Sequence, residues 1–159
     1  MSAVVAPLVN SYKRLAGGAE APSRVTWARI HRGALLRVPE PSTGRGTRLE
    51  LRAPDPSCNP YLALAVMLKT GIDGIRGELP LPAPGDADAN GSDVSEDDLA
   101  NPLPATLGEA LEELNWDPVV REALGQPIFE RFLTAKEREW TAFGRHISHW
   151  ELDNYLEGA

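Results

Sequence analysis

Arg48-Leu49-Glu50-Leu51-Arg52 places a guanidinium two residues to either side of a carboxylate. In an extended strand this spacing puts Arg48, Glu50 and Arg52 on one face and Leu49 and Leu51 on the other, buried face. Each guanidinium then stands roughly 6–7 Å along the strand from the carboxylate. Such a row can hold a carboxylate or phosphate at its ends and a cation at its middle. A solvent-facing ladder of cross-strand ion pairs is the competing reading of the same five residues.

The charge distribution favours an anionic ligand. Residues 1–52 carry nine Lys and Arg against three Glu, a net of +6, whereas residues 53–159 carry seven against twenty acids, a net of −13. Eight of the nine N-terminal cations are arginine, the side chain suited to bidentate contact with carboxylate and phosphate oxygens. Nucleic acid is disfavoured as the anion, because these arginines are spread through structured segments without interleaved aromatics and the remaining chain is strongly acidic.

Further candidates lie around this row. Glu20 sits in the glycine-rich stretch Ala16-Gly17-Gly18-Ala19-Glu20-Ala21-Pro22, either a loop that closes over a ligand or a plain surface turn. Arg32 and Arg37 are five apart, so a straight strand would send them to opposite faces, and a bulge at Gly33 would let both enter one site. His31 is read as a packed or hydrogen-bonded residue rather than a base. His146 and His149 are rejected as a metal pair, because Ser148 reads as a helix cap between them.

The elements that must position these groups follow from pattern. Residues 24–39 read as two short strands, and residues 39–47 as a turn-rich connection to the strand holding Glu50. Asn59 and Pro60 can open a helix that Gly71 can end, and its apolar residues on nearly all sides predict a buried helix over 59–76. Residues 77–105 read as a long acidic excursion whose spacing fits no calcium loop. Thr106 to Glu109 and Ser148 to Glu151 match capping boxes, Asp117-Pro118 opens another helix, and Ile128 to Phe143 carries an apolar stripe.

At 159 residues with 42% apolar and 25% charged residues, the composition is that of one soluble core. The longest apolar run, Tyr61 to Leu68, is too short to span a bilayer, no signal peptide is evident, and the single cysteine, Cys58, fits a reducing cytoplasmic setting.

The sequence resembles the type I glutamine synthetases of bacteria and archaea. The matching text is Asn10-Ser11-Tyr12-Lys13-Arg14-Leu15, Glu20-Ala21-Pro22, Arg32, Leu36-Arg37-Val38-Pro39, Arg48 to Arg52, Asp55-Pro56 and Asn59-Pro60-Tyr61-Leu62-Ala63. The helical remainder, through Leu107-Gly108-Glu109-Ala110-Leu111 and Tyr155-Leu156, also looks like the C-terminal end of that family. The resemblance implies an α+β fold, the C-terminal portion of a glutamine synthetase-like catalytic domain. Within it, residues 1–58 form arginine-rich active-site strands (antiparallel) and loop, 59–76 the buried helix, 77–105 the acidic loop and 106–159 a helical C-terminal region.

The activity implied is ATP-dependent joining of glutamate to ammonia through γ-glutamyl phosphate. By resemblance, Arg14 and Arg52 hold the carboxylates of glutamate, and Arg32 stabilises the transferring phosphoryl group, contacting both substrates. Arg37, Arg45 and Arg48 lie along the ATP phosphates, Glu50 is a ligand of Mg²⁺ or Mn²⁺, and Glu20 takes a proton from ammonium and shields the acyl phosphate.

Departures accompany the resemblance. The family usually has Asn and Ser where His31 and Gly33 stand, and some members have lysine in place of Arg45. No tyrosine stands near Asn90 in the acidic loop, so tyrosine adenylylation is not expected. Family members are about three times as long, with the other metal ligands upstream, so a homo-oligomer or a partner supplying the N-terminal part is expected and the chain alone is expected to be inactive. A γ-glutamyl-amine ligase fragment and a non-catalytic interaction module are the alternatives.

Overall fold

The core is built around the first few residues of the chain. Ser2–Val5 form α1, whose Ala3, Val4 and Val5 are fully buried. This short apolar helix packs against two longer ones, α3 (Pro60–Arg76) and α4 (Leu107–Trp116), while α2 (Val9–Gly17) contributes Tyr12 and Leu15 to the same core. The structure is a computed structural model that describes residues 1–17, 21–40, 46–85 and 101–156.

The chain is α+β, as expected. Its small sheet has strands β1 (Trp27–Ala28), β2 (Leu36–Arg37) and β3 (Glu50–Leu51) in that order. β2 and β3 pair antiparallel, with Leu36 opposite Leu51 and Arg37 opposite Glu50. β1 and β2, in contrast, pair parallel, which corrects the expectation of antiparallel strands throughout. A parallel return normally takes a dozen residues or more. Strands of two residues need so little travel that the Arg29–Leu35 connection suffices.

α3 differs from expectation in length and in burial. Asn59 caps it, its Oδ1 accepting from the Tyr61 and Leu62 amides at 3.0 and 3.4 Å, but the helix runs through Gly71 to Arg76. A glycine inside a helix costs only about 1 kcal/mol, and the following turn restores it; Gly77 provides the stop, its amide donating to the Asp73 carbonyl at 2.8 Å. Only Ala63 and Val66 are buried; Tyr61 is 83% exposed, Leu68 65% and Ile75 78%. The helix is apolar on nearly all sides up to Leu68, but the residues around it cover only one side. Leu49 is likewise uncovered, although it lines one apolar groove of about 250 Å³ with Leu51, Leu35 and Met67, which keeps Leu49 and the Leu51 of β3 on a common face.

The helical remainder follows its caps. The Thr106 hydroxyl accepts from the Glu109 amide at 3.1 Å, and Asp117 caps α5 (Pro118–Leu124) through the Val119 and Val120 amides, both at 3.0 Å. Gly125 ends α5 at φ +71° and ψ 149°, a backbone region open essentially to glycine alone. α6 (Gln126–Gly144) buries Phe129 and packs Phe132, Leu133 and Trp140 against the core, while Ile128 and Phe143 stay partly exposed. Ser148 and Glu151 form a complete capping box at α7 (His149–Tyr155), breaking the helix before His149.

Of the excursion over 77–105, residues 86–100 lie outside the described residues, but both flanks are tied to β1 or to the segment that leads into it. The Trp27 indole donates to the Pro82 carbonyl at 2.8 Å. The Val25 amide donates to Asn101 at 3.0 Å, and the Leu103 amide to Ser23 at 2.9 Å. Among the described residues no helix is long and apolar enough to cross a membrane.

Candidate active site

Glu50 stands between two arginines. Its Oε2 accepts from Arg37 Nη1 at 3.1 Å across the β2–β3 pair, and its Oε1 from Arg48 Nε at 2.9 Å. Period two along one strand and register across two strands therefore deliver three of the expected residues to one cluster. The Arg48 hydrogen bond, partly opposed by desolvation and reinforced by the charges of Arg37 and Arg48, holds the Glu50 carboxyl below its usual range. The cluster carries a net positive charge, and Arg48 is more than half exposed, able to meet an incoming anion.

A second group joins α2 to the segment after β3. Arg14, in the last turn of α2, donates from Nη2 to the Ala53 carbonyl, next in sequence to Arg52. Thus the Arg14 side chain reaches the backbone next to Arg52, the other residue expected to hold a glutamate carboxylate. Ser11 Oγ, one turn earlier, donates to Asp55 Oδ2, and Asp55 Oδ1 accepts from the Ser57 amide at 2.8 Å and from its hydroxyl. Burial alone would raise the Asp55 carboxyl, but the Ser11 and Ser57 hydroxyls, the Ser57 amide and the charge of Arg14 hold it below its ordinary value. Burial, with the charges of Asp55 and Glu113, pushes the neighbouring Tyr12 phenol up, so it remains protonated.

Sequence reasoning gave Ser11 and Asp55 no role. The available signal was Asp55-Pro56-Ser57, in which an aspartate can accept from the amide two residues on. What could not be read was its partner, 44 residues away on α2.

Arg32 is exposed in the turn between β1 and β2, not in a strand, so the five-residue spacing to Arg37 sets no opposition of faces. At Gly33, a Cβ would fall 2.6 Å from His31 Nε2. The imidazole thus takes the space a side chain at 33 would need, and His31 and Gly33 are sterically matched. Glu20 and Arg45 lie outside the described residues.

Divalent cations need several oxygen ligands in fixed geometry. Among the described residues no group of three or more His, Cys, Asp or Glu side chains could hold one, and both Glu50 oxygens are engaged by guanidiniums. These residues do not by themselves form a metal site. What they form is an arginine cluster ordered by one carboxylate, beside a clasp that fixes Arg14 against the Arg52 segment.

The family description "Glutamine synthetase, catalytic domain" matches residues 1–155. The chain belongs to the glutamine synthetase family. It is 51% identical over 158 residues to glutamine synthetase of Thermus thermophilus, covering 98% of this chain and 35% of the relative. The glutamine synthetase of Thermotoga maritima is 45% identical over 158 residues, with 98% and 36% covered. The chain therefore spans about a third of the length of the curated glutamine synthetases it matches. A solved structure described as a GmaS/ADP complex superposes with a TM-score of 0.81 at 31% identity, covering 98% of this chain and 36% of that one. An apo GmaS structure gives 0.79 at 32% identity, with 98% and 34% covered.

Proposed function

We infer that this chain supplies the glutamate- and phosphate-binding arginines of a glutamine synthetase active site, for ATP-dependent ligation of glutamate and ammonia. The observation that carries this reading is the match of the catalytic-domain family to residues 1–155 of 159. In the reaction, the γ-carboxylate of glutamate attacks the terminal phosphorus of ATP and displaces ADP. Ammonia then attacks the acyl carbon and displaces phosphate.

Arg14 and Arg52 hold the glutamate carboxylates, a role supported by the bond that places Arg14 beside the Arg52 segment. Arg37, Arg45 and Arg48 face the nucleotide phosphates, and Arg32 meets the phosphoryl group in transfer, where negative charge needs preorganised donors. Glu20 accepts the proton released from ammonium and excludes water from the acyl phosphate. Glu50 offers one carboxylate towards Mg²⁺ or Mn²⁺, which supplies charge neutralisation at the phosphates, and the remaining ligands must come from outside these residues. The likeness to a GmaS structure solved with ADP is consistent with a nucleotide on this fold.

We further infer that this chain works only together with the rest of the domain, as residues 1–58 of active-site strands and loop, 59–76 of helix, 77–105 of acidic loop and 106–159 of helical C-terminal region. The uncovered apolar face of α3 and the open groove beside β3 support this, because exposed apolar surface of that kind marks an interface.

The test is γ-glutamyl hydroxamate formation from glutamate, hydroxylamine and Mg²⁺-ATP, with the 159-residue chain alone and with the missing portion of a relative added. Product only in the mixture, lost in Glu50→Ala, is the expected result. Product from the chain alone overturns the need for a partner, and silence in both favours a non-catalytic interaction module. Substituting methylamine for ammonia in the active mixture separates glutamine synthesis from a γ-glutamyl-amine ligase.

A further inference from the structure

Away from the arginine cluster, α4 and α6 enclose a groove of about 450 Å³ whose wall includes Gly108, Glu112 and Trp116 from α4 and Glu137 and Trp140 from α6. The helical repeat explains the selection. Positions 108, 112 and 116 recur every four residues on one face of α4, and 137 and 140 are one turn apart on α6.

The Trp140 indole rests against the backbone of α4: a Cβ on Gly108 would come within 2.6 Å of its Nε1 and 2.7 Å of its Cε2. Its other neighbour is Phe143, stacked at 5.8 Å between centroids. Glycine at 108 and the phenyl ring together set the indole in place as a wall of the groove. Trp116 at the other end is 83% exposed, a large apolar surface left in water.

The charged residues lining the groove are both acids, Glu112 and Glu137, with no lysine or arginine among the lining. Among the described residues neither carboxylate has a hydrogen bond or ion pair, whereas the nearby Glu139 is engaged by Lys136 at 2.7 Å. Two indoles with two uncommitted carboxylates are chemically selective. The faces of indole rings attract cations, and a guanidinium can stack on a ring while its edge donates two parallel bonds to a carboxylate. An ammonium satisfies only the charge. The volume lies within the range of small-molecule pockets, which run roughly from 300 to 1,000 Å³.

We propose that the α4–α6 groove, walled by Trp116 and Trp140 and charged by Glu112 and Glu137, binds a small guanidinium compound. This site stands apart from the arginine cluster and does not depend on the ligase reading. In the intact chain the probe is L-argininamide, followed by the indole N–H signals of ¹⁵N-tryptophan-labelled protein, with L-citrullinamide, whose side chain is uncharged, and L-lysinamide as comparisons. Saturable shifts at Trp116 and Trp140 are expected, with Trp27 and Trp150 unmoved. Citrullinamide is expected to bind at least tenfold more weakly and lysinamide severalfold more weakly.

The double variant E112Q/E137Q should weaken argininamide at least tenfold, with far-UV circular dichroism unchanged because both positions are exposed. Equal binding of citrullinamide, shifts spread over all four indoles, or an affinity indifferent to E112Q/E137Q overturns the proposal. Equal binding of lysinamide overturns the guanidinium assignment. The citrullinamide comparison uses unaltered protein, so it decides the matter even where a variant misfolds.

Discussion

Arg37 and Glu50 stand opposite each other in the β2–β3 ladder, with Arg37 Nη1 3.1 Å from Glu50 Oε2. Because Glu50 also accepts from Arg48, one side chain sets the spacing of two guanidiniums. Glu50→Ala should leave the far-UV circular dichroism unchanged, since neither α1 nor the helices around it depend on this carboxylate. In the reconstituted ligase assay it should lower the hydroxamate rate about a hundredfold or more, the scale on which losing one preorganised oxyanion-hole donor acts. A rate within a fewfold of the parent would remove Glu50 from the site.

Phe129 tests the core. It is 2% exposed, and the Arg121 guanidinium lies over its ring at 4.4 Å. Phe129→Ala should destabilise the chain by about 3–5 kcal/mol through lost burial and the cavity left behind. Urea denaturation followed by tryptophan fluorescence would measure it. A loss below about 1 kcal/mol would mean that α6 is not seated on the core as described.

Asp55 makes stability depend on acid. Its folded carboxyl is held below the ordinary value of 3.8, so the native state keeps its charge more readily than the unfolded chain. The contribution is complete above the unfolded value and is lost as pH falls through the folded one. Asp55→Asn should therefore narrow the stability difference between pH 7 and pH 3 relative to the parent. Parallel curves for the two proteins would show that the Ser11–Asp55 clasp carries no such linkage.

Gly125 joins α5 to α6 at φ +71°. Replacing it with alanine meets no side chain, since nothing lies within 4 Å of the added Cβ, so the cost is purely that of backbone strain. Gly125→Ala should lose about 1–3 kcal/mol, whereas the same change at Gly71 inside α3 should gain about 0.4–1 kcal/mol. Thermal melts of the two variants should move in opposite directions.

Local rules carried the parts of this structure that local chemistry decides. The caps at Asn59, Asp117 and Ser148 each appear where a side-chain oxygen precedes a helical run, and the Glu50 row keeps its leucines on one face. What failed needed knowledge of distant chain. The sense of β1 against β2 depends on how short the strands are, and the exposure of α3 depends on what is present to cover it. Gly71 misled because a glycine weakens a helix without ending it, and the real stop, Gly77, lies six residues further on. The Ser11–Asp55 bond was invisible because two polar residues of ordinary kind, far apart in sequence, announce nothing until the fold brings them together.

The ties from Trp27 to Pro82 and from Ser23 to Leu103 have a consequence for how this protein can vary. They fasten both feet of the intervening stretch to β1 and the few residues just before it, so whatever lies between starts and finishes at fixed points. Doubling the length of a connection between two fixed ends costs only about 0.6 kcal/mol in closure entropy. The molecule thus contains a natural graft point: sequence can be lengthened, shortened or exchanged between Gly85 and Asn101 while the arginines next to the sheet keep their places.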